Sequence, residues 1–125
     1  MKALQGIRIL DLTHMLSGPY MGMMLADLGA ESIKVEPPVT GEGTRRLLEK
    51  DPKNRLNGFG AYYMTLNRNK KSITLDLKSE KGLEVFYKLV KTADIVLSNF
   101  SAGVTARLKV DYEHLSKINP RIITC

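Results

Sequence analysis

The chain has 125 residues, with nineteen Lys and Arg against thirteen Asp and Glu for a formal charge of +6, which leaves room for one domain with one real core. No apolar run approaches the roughly 20 residues that span a bilayer, and the N-terminus lacks the charged, apolar and small-residue order of a signal peptide. A single cysteine, Cys125, excludes an internal disulfide framework and fits a reducing, cytoplasmic setting.

Ile7, Ile9, Leu10 and Leu12 form a nearly continuous apolar run, the pattern of a strand buried on both faces of a parallel sheet. Pro19 suits a first helical turn, and Met21, Met24, Leu25 and Leu28 then recur at i, i+3, i+4 and i+7, predicting a helix with that apolar stripe. Gly29 is placed as its left-handed cap, and Ile33 and Val35 restart an extended segment that Pro37 and Pro38 end. Residues 39–60, rich in glycine and charge, read as a long loop or excursion. Residues 73–77 read as a third strand, and Ser79 offers a cap to a helix whose Leu83, Phe86, Tyr87 and Val90 share one face while Glu84 and Lys88 pair on the other. Residues 95–97 form a fourth strand, Asp111 is placed as the cap of a short helix carrying Tyr112, Leu115 and Ile118, and residues 121–124 form a fifth strand after Pro120. This alternation predicts an α/β domain: an open, mainly parallel, Rossmann-like sheet with helices on both faces. The chain stops at Cys125 on the edge where such sheets carry their binding loops, so the sheet is expected to be incomplete.

Candidate chemistry gathers after the strands. His14, Ser17 and Gly18 follow the first strand, where ligands bind and a helix N-terminus favours anions, although Gly18 and Gly22 do not make a GxGxxG fingerprint. Arg68, Lys70 and Lys71 read as a basic loop bracketed by Asn67 and Asn69, suited to phosphate or, more plainly, to water. Asn99, Phe100 and Ser101 follow the fourth strand, and Arg107 lies one helical turn past Gly103. There a phenyl ring gives a base a flat face and a guanidinium reaches a phosphate. The plainer alternatives are a loop-bracing hydrogen bond for His14, a core position for Phe100 and a turn cap for Asp76. Two histidines and one cysteine carry no metal-ligand spacing, and neither a P-loop nor a nucleophile elbow is present.

Four segments carry a family pattern: ILDLTHMLSGPYMGMMLADLGAESIKVEPP at 9–38, NRNKKSITLDLK at 67–78, ADIVLSNFSAGVTAR at 93–107 and NPRIIT at 119–124. In order and spacing they resemble class III CoA-transferases, the family of formyl-CoA transferase and of the carnitine and bile-acid CoA-transferases. The resemblance covers nearly the whole chain and implies the N-terminal part of a large CoA-binding domain. It implies that His14, Ser17 and Gly18 contact CoA, that Leu75, Asp76, Leu77 and Lys78 hold its adenosine part, and that Asn99, Phe100, Ser101 and Arg107 complete the site. Lys78 is then the leading phosphate or ribose contact, with Arg68 and Lys70 as further phosphate contacts. Leu16 departs from the polar residue of some members, and NFSAG departs from the common NFRPG, losing a cation and a backbone restraint. By the same resemblance the reaction moves CoA from an acyl-CoA donor to a carboxylic acid acceptor. It passes through an aspartyl-CoA intermediate whose aspartate lies beyond Cys125, with coenzyme A as substrate and with no permanently bound cofactor and no metal. An interlocked homodimer is implied for the full-length protein, with no nucleic-acid or membrane partner. Two rivals stand beside this: an α-methylacyl-CoA racemase, which shares the fold and CoA site, and a stand-alone nucleotide- or RNA-binding domain. Three Phe, five Tyr, no Trp and no RNA-binding signature disfavour the last.

Overall fold

The computed structural model describes all 125 residues. In chain order its elements are β1 (Arg8–Asp11), α1 (Ser17–Asp27), β2 (Glu31–Glu36), a 3-10 turn (Gly43–Arg45), β3 (Arg55–Leu56), β4 (Phe59–Gly60), α2 (Ala61–Leu66), β5 (Lys70–Thr74), α3 (Glu80–Val90), β6 (Ile95–Leu97), α4 (Val104–Arg107), α5 (Tyr112–Leu115) and β7 (Ile123–Thr124). Five strands form one sheet in the order β5-β2-β1-β6-β7, every pair parallel, while β3 and β4 make a separate antiparallel hairpin. The chain builds outward from β1 through β2 to β5, then returns through α3 to β6 on the other side of β1. The strand order therefore reverses between β1 and β6, and their C-terminal ends diverge into a crevice. No helix is long and apolar enough to cross a membrane.

Both faces of β1 are buried, as its apolar run predicts. Leu10 and Leu12 join Ile33, Val35 and Val96 under Phe86 and Val90 of α3, with Val110, Leu115 and Ile122 closing the cluster. On the opposite face Ile9, Ala30 and Leu97 form a smaller cluster against Met21 and Leu25 of α1. Gly29 ends α1 with a φ of 108°, Ser79 Oγ accepts the Gly82 N–H at 3.1 Å to cap α3, and Glu84 and Lys88 pair at 3.2 Å, all as expected from the sequence.

The buried face of α1 differs from the predicted stripe. Gly18, Pro19, Gly22, Met23 and Ala26 face inward, whereas Met24 and Leu28 are 48% and 49% exposed. The reason lies beneath the helix, where Asp11, Thr13, Ser32, Lys34 and Glu36 form a polar layer no more than 1% exposed. Small residues let α1 settle onto that layer: a Cβ on Gly22 would stand 2.6 Å from Asp11 Oδ2, and one on Gly18 would stand 2.5 Å from Thr13 Cβ. An Ala in place of a helix-interior Gly ordinarily stabilises by roughly 1 kcal/mol. Here the sign should reverse: Gly22→Ala is expected to lose about 1–3 kcal/mol in urea unfolding, because Asp11 must give way inside a packed layer.

Other boundaries move for identifiable reasons. The third strand, expected at 73–77, occupies Lys70–Thr74, because its pairing with β2 from Ser32 to Glu36 sets its limits more than its apolar content does. Lys70 and Lys71 therefore lie in a strand, not in the expected basic loop. Leu75, Asp76 and Leu77 leave the sheet through a turn in which Asp76 Oδ1 accepts the Lys78 N–H at 3.0 Å. The excursion at 39–60 holds the 3-10 turn and the β3–β4 hairpin, and α2 follows it. Asp111 sits at the N-cap of α5, but its carboxylate bonds the His114 ring instead of a backbone N–H. The last strand shortens to two residues because Ile122 turns into the core.

Candidate functional site

The crevice between β1 and β6 opens into an apolar cleft of about 260 Å³ lined by Leu12, His14, Val35, Glu36, Pro37, Leu75, Asp76, Leu77, Lys78, Phe100 and Leu108. Leu77, Lys78 and Leu108 also border a neighbouring groove of about 600 Å³ that runs past the start of α3 to Arg107 and Lys109. Six expected site residues on three chain segments thus line one continuous depression, and Arg107 on α4 joins them at its far end. The inner part is apolar and narrow. The outer part carries Lys78 and Arg107, both exposed and neither paired with an acid. Glu80 and Ser79 form the rim where α3 begins, and Ser79 is committed to its cap.

His14 and Phe100 meet across the crevice with ring centroids 5.2 Å apart and planes tilted by 41°. Burial holds the His14 pKa below its ordinary value; the positive charge of Lys34 acts the same way, against the opposing charges of Glu42, Asp11 and Glu36. The imidazole is therefore neutral at pH 7, donating from one ring nitrogen and accepting at the other. Phe100 is partly buried and packs against the main core, as its plainer reading expects, and its ring also lines the cleft.

The remaining candidates play other parts. Asn99 does not line the cleft; its side chain accepts the His14 N–H at 2.8 Å and donates to the His14 carbonyl at 2.7 Å, tying the loop after β6 to the loop after β1. Ser17 is exposed and Gly18 is buried on the inner face of α1 against Thr13, and neither borders the cleft; no side chain caps α1. Ser101 is exposed at the turn before Gly103, whose φ of 79° explains a glycine at the N-cap of α4.

Arg68 and Lys70, expected as phosphate contacts, already have partners within the chain. Arg68 grips Asp27 on the surface at 2.5 Å, and burial of the whole Lys70 side chain places its Nζ 2.8 Å from both Asp11 Oδ2 and the Pro19 carbonyl. Two physical causes remove them from the cleft: Lys70 follows its strand inward, and Arg68 faces α1. Part of the basic excess is thus absorbed internally, since Arg8, Arg45 and Lys71 are paired as well.

The sequence reading missed the buried charge cluster behind the cleft. Glu36, at the end of β2, receives Arg45 through both carboxylate oxygens at 2.6 and 2.7 Å, Ser72 Oγ at 2.6 Å and the Glu42 N–H at 2.8 Å. Tyr63 stacks under the Arg45 guanidinium at 4.0 Å and donates to Glu36 at 3.2 Å. Burial would raise the Glu36 carboxyl, but the hydrogen bonds from Arg45, Ser72 and the Glu42 amide outweigh it and hold the pKa at about 2. Burial and the neighbouring Glu36 push the Tyr63 hydroxyl well above its usual range. Acidic and basic residues at 36, 42 and 45, close to a Pro pair and a glycine-rich stretch, were the available signal.

Comparison with known proteins agrees with this geometry. CoA-transferase family III matches residues 4–125. The formyl-CoA:oxalate CoA-transferase of Afipia carboxidovorans is 48% identical over 122 residues, which are 98% of this chain and 28% of that protein. A CAIB/BAIF family protein from Brucella suis superimposes with a TM-score of 0.89 at 40% identity, over 99% of this chain and 32% of its own. Rv3272 from M. tuberculosis gives 0.86 at 38% identity, over 99% and 31%. The chain thus spans about 28% of the length of the curated relative. An open parallel sheet with its crevice at the strand reversal and a match along nearly the whole chain lead to one assignment: this chain belongs to CoA-transferase family III.

Proposed function

We propose that residues 1–125 form the CoA-binding portion of an acyl-CoA:carboxylate CoA-transferase. The observation that carries this reading is an apolar cleft, faced by Phe100 and His14, that leads directly to two unpaired cations, Lys78 and Arg107. An adenine ring and a set of phosphates on one molecule need that order of surfaces. The formyl-CoA:oxalate CoA-transferase activity of the relatives points to formyl-CoA as donor and oxalate as acceptor, small acids that leave the CoA moiety as the main source of binding contacts.

The chemistry follows from the family resemblance. An aspartate carboxylate attacks the thioester carbonyl, the C–S bond breaks and CoA thiolate leaves a mixed anhydride. The thiolate then attacks the aspartyl carbonyl, giving aspartyl-CoA and releasing the donor acid. The acceptor carboxylate repeats the sequence in reverse and departs as its CoA ester. Among the aspartates of this chain only Asp76 borders the cleft, and its carboxylate is held by the Lys78 N–H. By the same resemblance the nucleophilic aspartate lies beyond Cys125, in a cytoplasmic, homodimeric enzyme in which CoA is a substrate and not a resident cofactor.

Calorimetric titration with CoA tests the site. Lys78→Gln and Arg107→Gln should each weaken binding by about tenfold to a hundredfold, the scale of one lost charge-assisted hydrogen bond, and dephospho-CoA should separate which cation meets the 3′-phosphate. CoA binding that is indifferent to both substitutions would remove the reading.

A further inference from the structure

Thr13, His14 and Met15 form the loop that presents the imidazole to the cleft, and side chains from three distant segments hold their backbone groups. Lys34 Nζ, fully buried on β2, donates to the Thr13 carbonyl at 2.8 Å. Asn99 takes both polar groups of the His14 backbone at 2.8 and 2.7 Å. Glu42, 1% exposed, accepts the Met15 N–H at 3.0 Å and stands 3.9 Å from the His14 ring nitrogen. Met15 needs that support because its φ of 69° lies in the left-handed region, where an unbranched but bulky side chain is disfavoured. Lys34 has no carboxylate within ion-pair distance, so its one protein partner is the loop itself. A buried cation with a single carbonyl acceptor is a costly arrangement for stability alone.

We infer that Lys34 and Glu42 are positioning residues: a buried cation and a buried carboxylate that clamp the Thr13–Met15 backbone at its two ends, Thr13 and Met15, and so fix His14 against Phe100 at the mouth of the cleft. Glu42 is itself set by Glu36, which accepts its N–H, so the excursion at 39–60 reaches the cleft through this carboxylate. The inference rests on the CoA reading for its effect on affinity, and on geometry alone for its effect on His14.

The test separates the two. His14 titration, followed by ring NMR in the unliganded protein with His114 as internal reference, should move in opposite directions. Lys34→Met removes a neighbouring positive charge and should raise the His14 midpoint, and Glu42→Gln removes a negative one and should lower it; Asp11 and Glu36, the other charges felt by the ring, remain in both. For CoA binding, Glu42→Ala should lose about tenfold or more, and Glu42→Gln, which keeps an oxygen for the Met15 N–H, should lose less. A general loss of packing would give neither the opposed shifts nor that ranking. Unmoved His14 midpoints, or equal CoA affinity in Glu42→Ala and the parent, would overturn the clamp. A parent protein that binds no CoA would sink the proposed function and leave the titration to decide the clamp.

Discussion

Arg45→Met is expected to cost roughly 3 kcal/mol of stability at neutral pH, and that cost should fade as the pH is lowered. Glu36 is 1% exposed and its strongest partner is the Arg45 guanidinium, bound through two oxygens; without it a buried carboxylate keeps only Ser72, Tyr63 and the Glu42 amide. The sign follows from the folded pKa of about 2 against an ordinary 4.5. A carboxyl depressed on folding contributes stability that is fully present above its unfolded pKa and is lost as the pH falls through its folded pKa. In the parent, this contribution therefore disappears between about 4.5 and 2, and below that range Arg45 has no charged partner left. Urea unfolding curves of parent and variant should diverge at pH 7 and converge near pH 2. A difference that stays constant across that range would mean the loss is packing of Arg45 against Tyr63 and Phe59, not charge pairing.

The contrast between what the sequence discloses and what it hides follows the physics of each element. The parallel sheet was legible because β1 and β6 carry apolar runs that water cannot share, and α3 because Leu83, Phe86, Tyr87 and Val90 agree with a capping serine four residues before Leu83. The cleft was legible in part, since His14, Leu75, Lys78 and Phe100 sit just after strand ends, where an open α/β sheet must expose its loops. The polar layer under α1 was not legible. Ser32, Lys34 and Glu36 alternate with Ile33 and Val35, a pattern that normally marks a strand with one face in water. That face is instead covered by Gly18, Gly22 and Ala26 of α1 and by the excursion, which brings Arg45 to Glu36, while Lys70 reaches Asp11 from β5, far along the chain. Only tertiary pairing tells a solvated charge from a buried one, so Lys70 looked free in sequence and Lys78 looked no different from it.

The largest loss should come from Asp11→Ala. Asp11 is fully buried; one oxygen receives Lys70 Nζ at 2.8 Å, and the other receives the Thr13 N–H at 2.9 Å together with the Thr13 hydroxyl. Its removal leaves the Lys70 ammonium, 2% exposed, with the Pro19 carbonyl as its remaining partner and with the Lys34 charge close enough to oppose its protonation. Breaking a buried pair from one side costs about 3–5 kcal/mol, a large part of the stability of a domain this size. Lys70→Met should cost less, because Asp11 keeps its two Thr13 donors, and the double variant Asp11→Ala with Lys70→Met should recover part of the loss, since no unpaired ammonium remains. A double-mutant cycle in urea measures this coupling. Additive losses would mean that Asp11 acts through Thr13 alone. In that case the carboxylate that ends β1 is there to shape the loop leading to His14, and the ion pair behind it contributes nothing beyond filling its space.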